Sequence, residues 1–326
     1  MSGVSVPEQP SLVVCFGEAM LRQSQDNGGN IQISPGGAEY NVACALANLG
    51  ISAKWVTSLP ANESAKLITR PAIESGAQLT IIHSQHPVGE YQIVSEKQTV
   101  AYNRTDSAFA HLKLGDIEWR HEINGARWLV TSGITPLLGD GPKANWAAAM
   151  TFAELDGTLV ALDLNHRPML GTFEELWSEV EPRLRQIHLL VLSPTTLLTL
   201  TGQSSLAMLE ALRAKWNLPY LACTWKEEEQ DFQKRWSAVA HSRGITTTEE
   251  RRVTHRPVEP LGGGDAWLAG FIDGLIEGLE PDDCCHRGDL LAALTQQSFG
   301  DLGNVSREEL SRWESIEGAV DLLQDG

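Results

Sequence analysis

The segment Val258-Glu259-Pro260-Leu261-Gly262-Gly263-Gly264-Asp265 carries the sharpest chemical signal in the chain. Behind it, Leu268, Ile272, Leu275, Ile276 and Leu279 recur at helical spacing, which lays one apolar stripe along a helix that begins at or just after the glycines. Three residues without side chains at a helix start let backbone N–H groups converge on an anion, and the helix dipole favours negative charge there. Asp265 then has two readings. It is a charge that suits a helix N-terminus, or it is a general base that takes a proton from an incoming hydroxyl while the amides hold the charge of a transferring group. Phosphoryl transfer uses both parts.

A second segment, Ser34-Pro35-Gly36-Gly37-Ala38-Glu39-Tyr40-Asn41, runs into Val42, Ala45, Leu46 and Leu49 and then Gly50. This spacing predicts another helix, with Gly50 placed to end it and Asn41 one turn inside. Gly36 and Gly37 permit close backbone approach, although a plain turn explains them equally well.

Strands must bring these two helix starts together. Short β-branched and Leu-rich runs at Leu12–Phe16, Lys54–Thr57, Trp128–Thr131, Thr158–Leu162, Ile187–Leu192 and Leu218–Cys223 alternate with helical patterns, as in a parallel sheet covered by helices. Gly17-Glu18, Ser132 to Pro136, Asp163-Leu164-Asn165, Ser193 and Thr224 follow these runs, and open α/β sheets bind ligands at the carboxyl ends of their strands. Between His83 and Thr105 the pattern changes to period two, with a charged turn at Glu96-Lys97, which reads as a hairpin outside the main sheet. The polar segment Leu21–Ser34, with a Gly28-Gly29 turn, is suited to pair with it as a small β lid. No linker separates a second domain, so residues 12–326 read as one domain after a flexible start at 1–11.

With 326 residues, 42% of them apolar, the chain has material for a real core. Twenty-five Lys and Arg against 42 Asp and Glu give a net charge of −17, which disfavours nucleic acid and membrane surfaces as partners but leaves room for a small anion bound by a few arginines in a closed cleft. No apolar run is long enough to span a bilayer, and the first eleven residues lack a leader pattern, so the expected location is cytoplasmic. Cys15, Cys44, Cys223, Cys284 and Cys285 form no Cys-x-x-Cys pair and read as reduced core residues.

The pair of motifs, Gly-Gly-Ala-x-x-Asn-x-Ala from Gly36 and Gly-x-Gly-Asp ending at Asp265, resembles the two signatures of the ribokinase-like, phosphofructokinase-B type carbohydrate kinases. The resemblance covers Leu12 to Leu302. Glu259-Pro260-Leu261-Gly-Gly-Gly-Asp, Gly17-Glu18, Ser132 to Pro136 and Asp163-Leu164-Asn165-His166-Arg167 are similar to the 2-keto-3-deoxygluconate kinase branch. This resemblance implies a three-layer α/β sandwich with a mostly parallel sheet and a β lid, which in that family often serves as a dimer clasp. It also implies transfer of the γ-phosphoryl group of ATP, with Mg²⁺, to a sugar hydroxyl.

Carried onto this sequence, the resemblance implies that Asp265 activates the acceptor hydroxyl and that Gly262, Gly263 and Gly264 stabilise the phosphoryl charge. It places Gly36, Gly37 and Asn41 against the sugar. It gives Tyr91, Tyr102, Arg104 and Arg167 to the acid group of the substrate, with Asp301 as a further substrate contact. Ser193, Thr224, Gly262 and Gly264 fall to the nucleotide. The sequence departs from the family where Asn-x-x-Glu should organise Mg²⁺ but Ser193-Pro194-Thr195-Thr196 stands, so no metal ligand is assigned. A Gly-rich nucleotide loop is replaced by Thr224-Trp225-Lys226-Glu227-Glu228-Glu229, and Asn62-Glu63-Ser64-Ala65 stands where the family has Asp-x-x-Gly. The leading expectation is an ATP-dependent kinase of an acidic sugar. The alternatives are a kinase of a neutral sugar, of fructokinase or ribokinase type, and a sugar-binding relative with little turnover.

Overall fold

Val13, Val14, Cys15 and Phe16 are all fully buried, because a strand in the middle of a parallel sheet is covered by helices on both faces. The computed structural model describes residues 11–25, 31–94 and 99–323. From the amino end, β1 (Val13–Phe16) leads into β2 (Met20–Gln25), β3 (Ile31–Gly36), α1 (Ala38–Asn48), β4 (Ala53–Pro60), α2 (Glu63–Glu74) and β5 (Gln78–Ser84). The hairpin β6 (Gly89–Val94) and β7 (Thr99–Asn103) precedes α3 (Trp119–Ile123), β8 (Trp128–Ser132), α4 (Asp140–Asp156), β9 (Leu159–Asp163) and α5 (Phe173–Val180). There follow β10 (Leu189–Leu192), α6 (Pro194–Thr201), α7 (Leu206–Trp216), β11 (Tyr220–Glu229), β12 (Phe232–His241), β13 (Gly244–Thr247) and β14 (Val253–His255). The chain closes with α8 (Gly263–Glu277), α9 (Pro281–Thr295), α10 (Arg307–Glu314) and β15 (Val320–Asp321).

The large sheet runs β15-β14-β12-β11-β10-β9-β8-β1-β4-β5, with β13 on β12. Pairings from β5 through β1 to β11 are parallel, whereas β12 is antiparallel to β11, β13 and β14. Strand alternation divides the core. Val13, Cys15 and Trp55 face α1, α8 and α9, while Val14, Phe16 and Leu129 face the layer holding Trp146, Leu176 and Leu209. A separate four-stranded sheet, β3-β2-β6-β7, forms the lid. The three-layer α/β sandwich with a small β lid expected from the sequence is thus the architecture observed.

The expected outer segments are trimmed by pairing. His83 and Ser84 finish β5 in the large sheet, opposite Leu59 and Pro60, so the lid hairpin begins later than residue 83. The turns expected at Gly28-Gly29 and Glu96-Lys97, and residues 1–10 of the flexible start, lie outside the described residues. One expectation is corrected. The run Leu218–Cys223 does not stop at Cys223, because β12 gives it an antiparallel partner as far as Glu229 opposite Phe232. Thr224 therefore lies mid-strand opposite Ser237 rather than in a loop at the strand end.

The switch point of the sheet is between β1 and β8: β4 and β5 extend to one side of β1, and β9, β10 and β11 extend to the other side of β8. Crevices at the carboxyl end of such a reversal are where open α/β sheets hold ligands. The residues there are Gly17 and Glu18 after β1, Thr131 and Ser132 at the end of β8, and Asp163 at the end of β9.

Candidate active site

Both glycine-rich helix starts converge on this crevice. Gly37 is the N-cap of α1, and a β-carbon on it would lie 2.3 Å from the Glu18 carbonyl oxygen, so the chain that follows β1 passes directly against its backbone. Gly262 is the N-cap of α8 with φ at 68°, a left-handed conformation, and a β-carbon there would lie 2.3 Å from the Asp301 carbonyl oxygen. Only glycine meets both demands. Gly263 is buried, whereas Gly264 is exposed and has open space where a side chain would stand.

Asp265 lies in the first turn of α8, and Asn41 Nδ2 donates to its Oδ2 at 2.6 Å. This hydrogen bond joins the two motifs across 224 residues of sequence. Burial lifts the Asp265 carboxyl well above the ordinary carboxylate range; the Asn41 hydrogen bond and Arg167 oppose the lift, and Asp163 and Asp301 add to it. Asp163 is pushed up to about 6, chiefly by burial, with Arg167 and the N–H of Asn165 opposing. Glu39, at the start of α1 and 2% exposed, is pushed up to about 7 by burial against hydrogen bonds from Ser132 and Thr135. Asp163, Asp265 and Glu39 line one small depression with Thr131 and Ser132. Carboxyls so close together in a desolvated place hold protons far more tightly than in water, which is the setting of a general base that works near neutral pH.

On the lid side, Tyr91 donates to Asp301 Oδ2 at 3.3 Å, and a side chain on Gly36 would collide with both residues. Tyr102 stands opposite Tyr91 in the β6–β7 register, but its side chain lies outside the described part of the structure. Arg104 is buried, and its Nε donates to Glu18 Oε2 at 2.8 Å with Nη2 on the same oxygen. Ser107 donates to the other oxygen of Glu18 at 2.5 Å, so Glu18 ties the end of the lid hairpin to the loop after β1. Arg167 is exposed, its side chain makes no hydrogen bond or ion pair among the described residues, and it is close enough to act on both Asp163 and Asp265.

Of the expected nucleotide residues, Ser193 and Thr224 lie at the start of α6 and within β11. The Ser193 hydroxyl caps α6 by accepting from the Thr196 N–H at 3.1 Å, and the Thr196 hydroxyl is 2.9 Å from it. Thr224 is in β11, as described. The three acids that follow are each paired at the surface, Glu227 with Arg252 at 3.1 Å, Glu228 with Lys226 at 3.0 Å and Glu229 with Lys234 at 2.7 Å, which offsets their charge locally. A groove lined by Lys226, Phe232, Arg256, Pro260 and Leu261 opens between the β11–β12 turn and the glycine loop.

Sequence reasoning missed two arginines. Arg22 of β2 has a fully buried side chain; Nη2 meets Glu259 Oε2 at 2.5 Å, Nε donates to Ser34 at 3.1 Å, and Nη1 is 3.8 Å from Asp301 Oδ1. Glu259 also accepts from the Gly300 N–H at 2.8 Å, so the lid strand is fastened to the loops that flank Gly262. Arg235 of β12 lies beneath the first turn of α8, where a β-carbon on Gly263 would come 3.1 Å from its Nη1. It donates to Gln296 Oε1 at 3.0 Å, an oxygen that also faces His255 Nε2 at 3.0 Å. Asp289 is the nearby opposite charge, held by Ser237 at 2.9 Å and Thr248 at 2.5 Å. The sequence held no more than the placing of Arg22 in the polar lid segment Leu21–Ser34, and nothing in it singled out Arg235.

Comparison with known proteins gives the family of the chain. The chain is 27% identical over 314 residues to a 2-dehydro-3-deoxygalactonokinase of Haloferax volcanii, covering 92% of this chain and 95% of that one. It is 27% identical over 329 residues to a 2-dehydro-3-deoxygluconokinase of Bacillus subtilis, covering 94% and 96%. The crystal structure of a 2-dehydro-3-deoxygluconokinase from Thermotoga maritima superposes with a TM-score of 0.87 at 26% identity, covering 93% of this chain and 99% of that one. Residues 10–217 match the pfkB family carbohydrate kinase. That match takes in more than half of the sequence, from the first strand of the large sheet to the end of α7, and the chain belongs to the pfkB family of carbohydrate kinases.

Proposed function

We propose that the chain transfers the γ-phosphoryl group of ATP to a hydroxyl of an acidic sugar, a 2-keto-3-deoxy sugar acid such as 2-keto-3-deoxygluconate. One observation carries the reading. Next to Asp265, the buried Asn41 Oδ1 and Asp301 Oδ1 accept no hydrogen bond among the described residues, and Arg22 Nη1, which likewise donates none, faces Asp301 Oδ1 only at ion-pair distance, 3.8 Å. Buried polar atoms are normally hydrogen-bonded, and leaving one without a hydrogen bond costs about 1–3 kcal/mol, so two such acceptors next to a candidate base suit a ligand that carries hydroxyls. The relatives named for dehydro-deoxy sugar acids support the acid class, and Arg167, with no protein carboxylate bound to it, supplies the charge.

In the proposed reaction the acceptor oxygen forms its bond to the γ-phosphorus as the bond to the β,γ-bridging oxygen breaks and ADP departs. The hydroxyl proton passes to Asp265, and the N–H groups at the start of α8 take up the charge of the phosphoryl oxygens. The nucleotide occupies the groove beside Pro260 and Leu261, and it enters as its Mg²⁺ complex. The residues at the start of α6 do not fit a metal-organising role, since Thr196 has no carboxylate and its hydroxyl contacts Ser193. No step is therefore routed through a protein-bound ion. Exposed Ile31 and Ile33 on β3 suit the lid to pack on a second copy of the chain.

Glu18 favours a second reading, because it already neutralises Arg104 and leaves, of these two arginines, Arg167 as the one without a carboxylate partner among the described residues. On that reading the acceptor is a neutral sugar. Coupled measurement of ATP consumption over a panel of 2-keto-3-deoxy sugar acids, fructose and ribose tests both. Turnover on the acids, with a steep rise in KM in Arg167→Ala, is expected; a preference for fructose or ribose replaces the acid reading, and no turnover on any sugar replaces kinase by sugar binding.

A further inference from the structure

His86, Asp106 and His111 meet at the two ends of the lid hairpin, apart from the residues of the cleft. His86 lies between β5 and β6, and Asp106 and His111 follow β7. Asp106 Oδ1 is 3.2 Å from His86 Nδ1 and 3.3 Å from His111 Nε2, and the three candidate donor atoms lie within 4.8 Å of one another. The frame beneath them is fixed: the Ala108 N–H donates to the Pro87 carbonyl at 2.7 Å, and Ser107 is anchored on Glu18.

The chemistry of the donors is specific. His111 Nδ1 is 3.1 Å from the Ser107 carbonyl oxygen. A carbonyl only accepts, so Nδ1 carries the hydrogen and Nε2 is left to face the carboxylate, which is the orientation that metal-bound histidines take from their outer partners. His86 Nδ1 can donate a hydrogen to the carboxylate, but with its hydrogen on Nδ1 His111 Nε2 brings a lone pair to the same oxygen, and a cation placed among the three groups would satisfy both. A tetrahedral site with bonds of about 2.0–2.1 Å has edges of about 3.3 Å, and both nitrogen-to-oxygen separations already match. The two rings are stacked at 3.4 Å, so binding requires them to part, and side chains that are 38% and 39% exposed are free to turn.

We propose that His86, Asp106 and His111 form a site for a divalent transition metal of the zinc class, with water completing the coordination, and that the ion clamps the two ends of the lid hairpin to each other. Nitrogen donors select zinc, cobalt or nickel over magnesium. All five cysteines are buried, so no exposed thiol competes for the ion.

The test is calorimetric titration of the untagged, full-length chain with Zn²⁺ at pH 7.5, without nucleotide. One equivalent is expected, with affinity falling at least tenfold in His111→Ala and in His86→Ala/His111→Ala, and falling also in the conservative Asp106→Asn. Hydrogen exchange of the amides of residues 104–111 should slow on adding Zn²⁺ to wild type and not in the double variant. All three side chains are at the surface, so the variants should keep the wild-type melting temperature in metal-free buffer. Equal Zn²⁺ binding by wild type and the double variant overturns the proposal. So does a wild type that binds no Zn²⁺ at millimolar concentration, in which case the cluster holds a proton instead.

Discussion

Glu39→Gln should make the protein more stable at pH 8 while leaving its stability at pH 4 nearly unchanged. Glu39 is buried at the start of α1 with no cation against it, and its carboxyl rises from 4.5 to about 7 on folding. Between those values the unfolded chain releases its proton and the folded chain keeps it, so the favourable contribution is complete below pH 4.5 and is lost as pH rises through about 7. The displacement corresponds to about 3 kcal/mol at pH 8, as an upper figure for a group that keeps hydrogen bonds from Ser132 and Thr135. Glutamine has the same shape and cannot ionise. Its amide oxygen can accept from Thr135 as Glu39 Oε1 does at 3.2 Å, and it occupies the space left by Gly17, where a β-carbon would stand 2.0 Å from the Glu39 carboxylate. At roughly 2 °C per kcal/mol for a chain of this size, the variant should melt about 5 °C above wild type at pH 8. Thermal melts of both proteins in matched buffers at pH 4, 6 and 8 measure the difference. The rises at Asp163 and Asp289 are common to both proteins and cancel. A gap that stays constant with pH, or a variant that is less stable at pH 8, refutes the account of Glu39 as a buried, uncompensated acid.

Asp265→Asn should preserve the fold and sugar binding and reduce turnover by about 10²-fold or more, and in wild type the acid limb of kcat should lie well above the ordinary carboxylate range because the base form must be charged; steady-state kinetics from pH 5 to 9 checks both. Gly264→Ala should leave the melting temperature within a degree or two of wild type, since its β-carbon meets open space, yet lower kcat by placing a methyl group where the phosphoryl group must approach; Gly263→Ala, whose β-carbon would lie 2.8 Å from the Gln296 side chain, should destabilise the fold as well. Arg235→Met should slow turnover about tenfold or more with little change in sugar KM, because it removes a fixed positive charge from behind the amides of α8, while Arg235→Lys recovers part of the rate; equal kcat in all three proteins would confine Arg235 to a structural role.

Much of the site was legible in order along the chain. Gly36, Gly37 and Asn41, and Gly262 to Asp265, each announce a helix start by local pattern alone, because glycine geometry and apolar spacing are properties of neighbouring residues. The strand runs were legible for the same reason, as was the lid, whose period-two pattern departs from the rest. Strand ends were less so. β11 continues past Cys223 because of a partner strand, and no residue within Leu218–Cys223 records that partner.

By itself, then, the sequence determined which elements form, where backbone amides lie open to an anion, and that an aspartate follows them. Only the tertiary structure decided what the charged side chains do. Arg104 stands, by the family resemblance, as a cation for a substrate acid, yet Glu18 occupies it from 86 residues away; Arg22 is only one residue of a polar lid segment and nothing in the sequence marks Arg235, yet Arg22 fastens the lid to Glu259 and Arg235 lies beneath the first turn of α8. Glycine and apolar patterns act within one element and leave a local trace. A buried charge is set by whichever distant group it meets and by how much water the packing removes, and neither quantity exists until the elements are assembled.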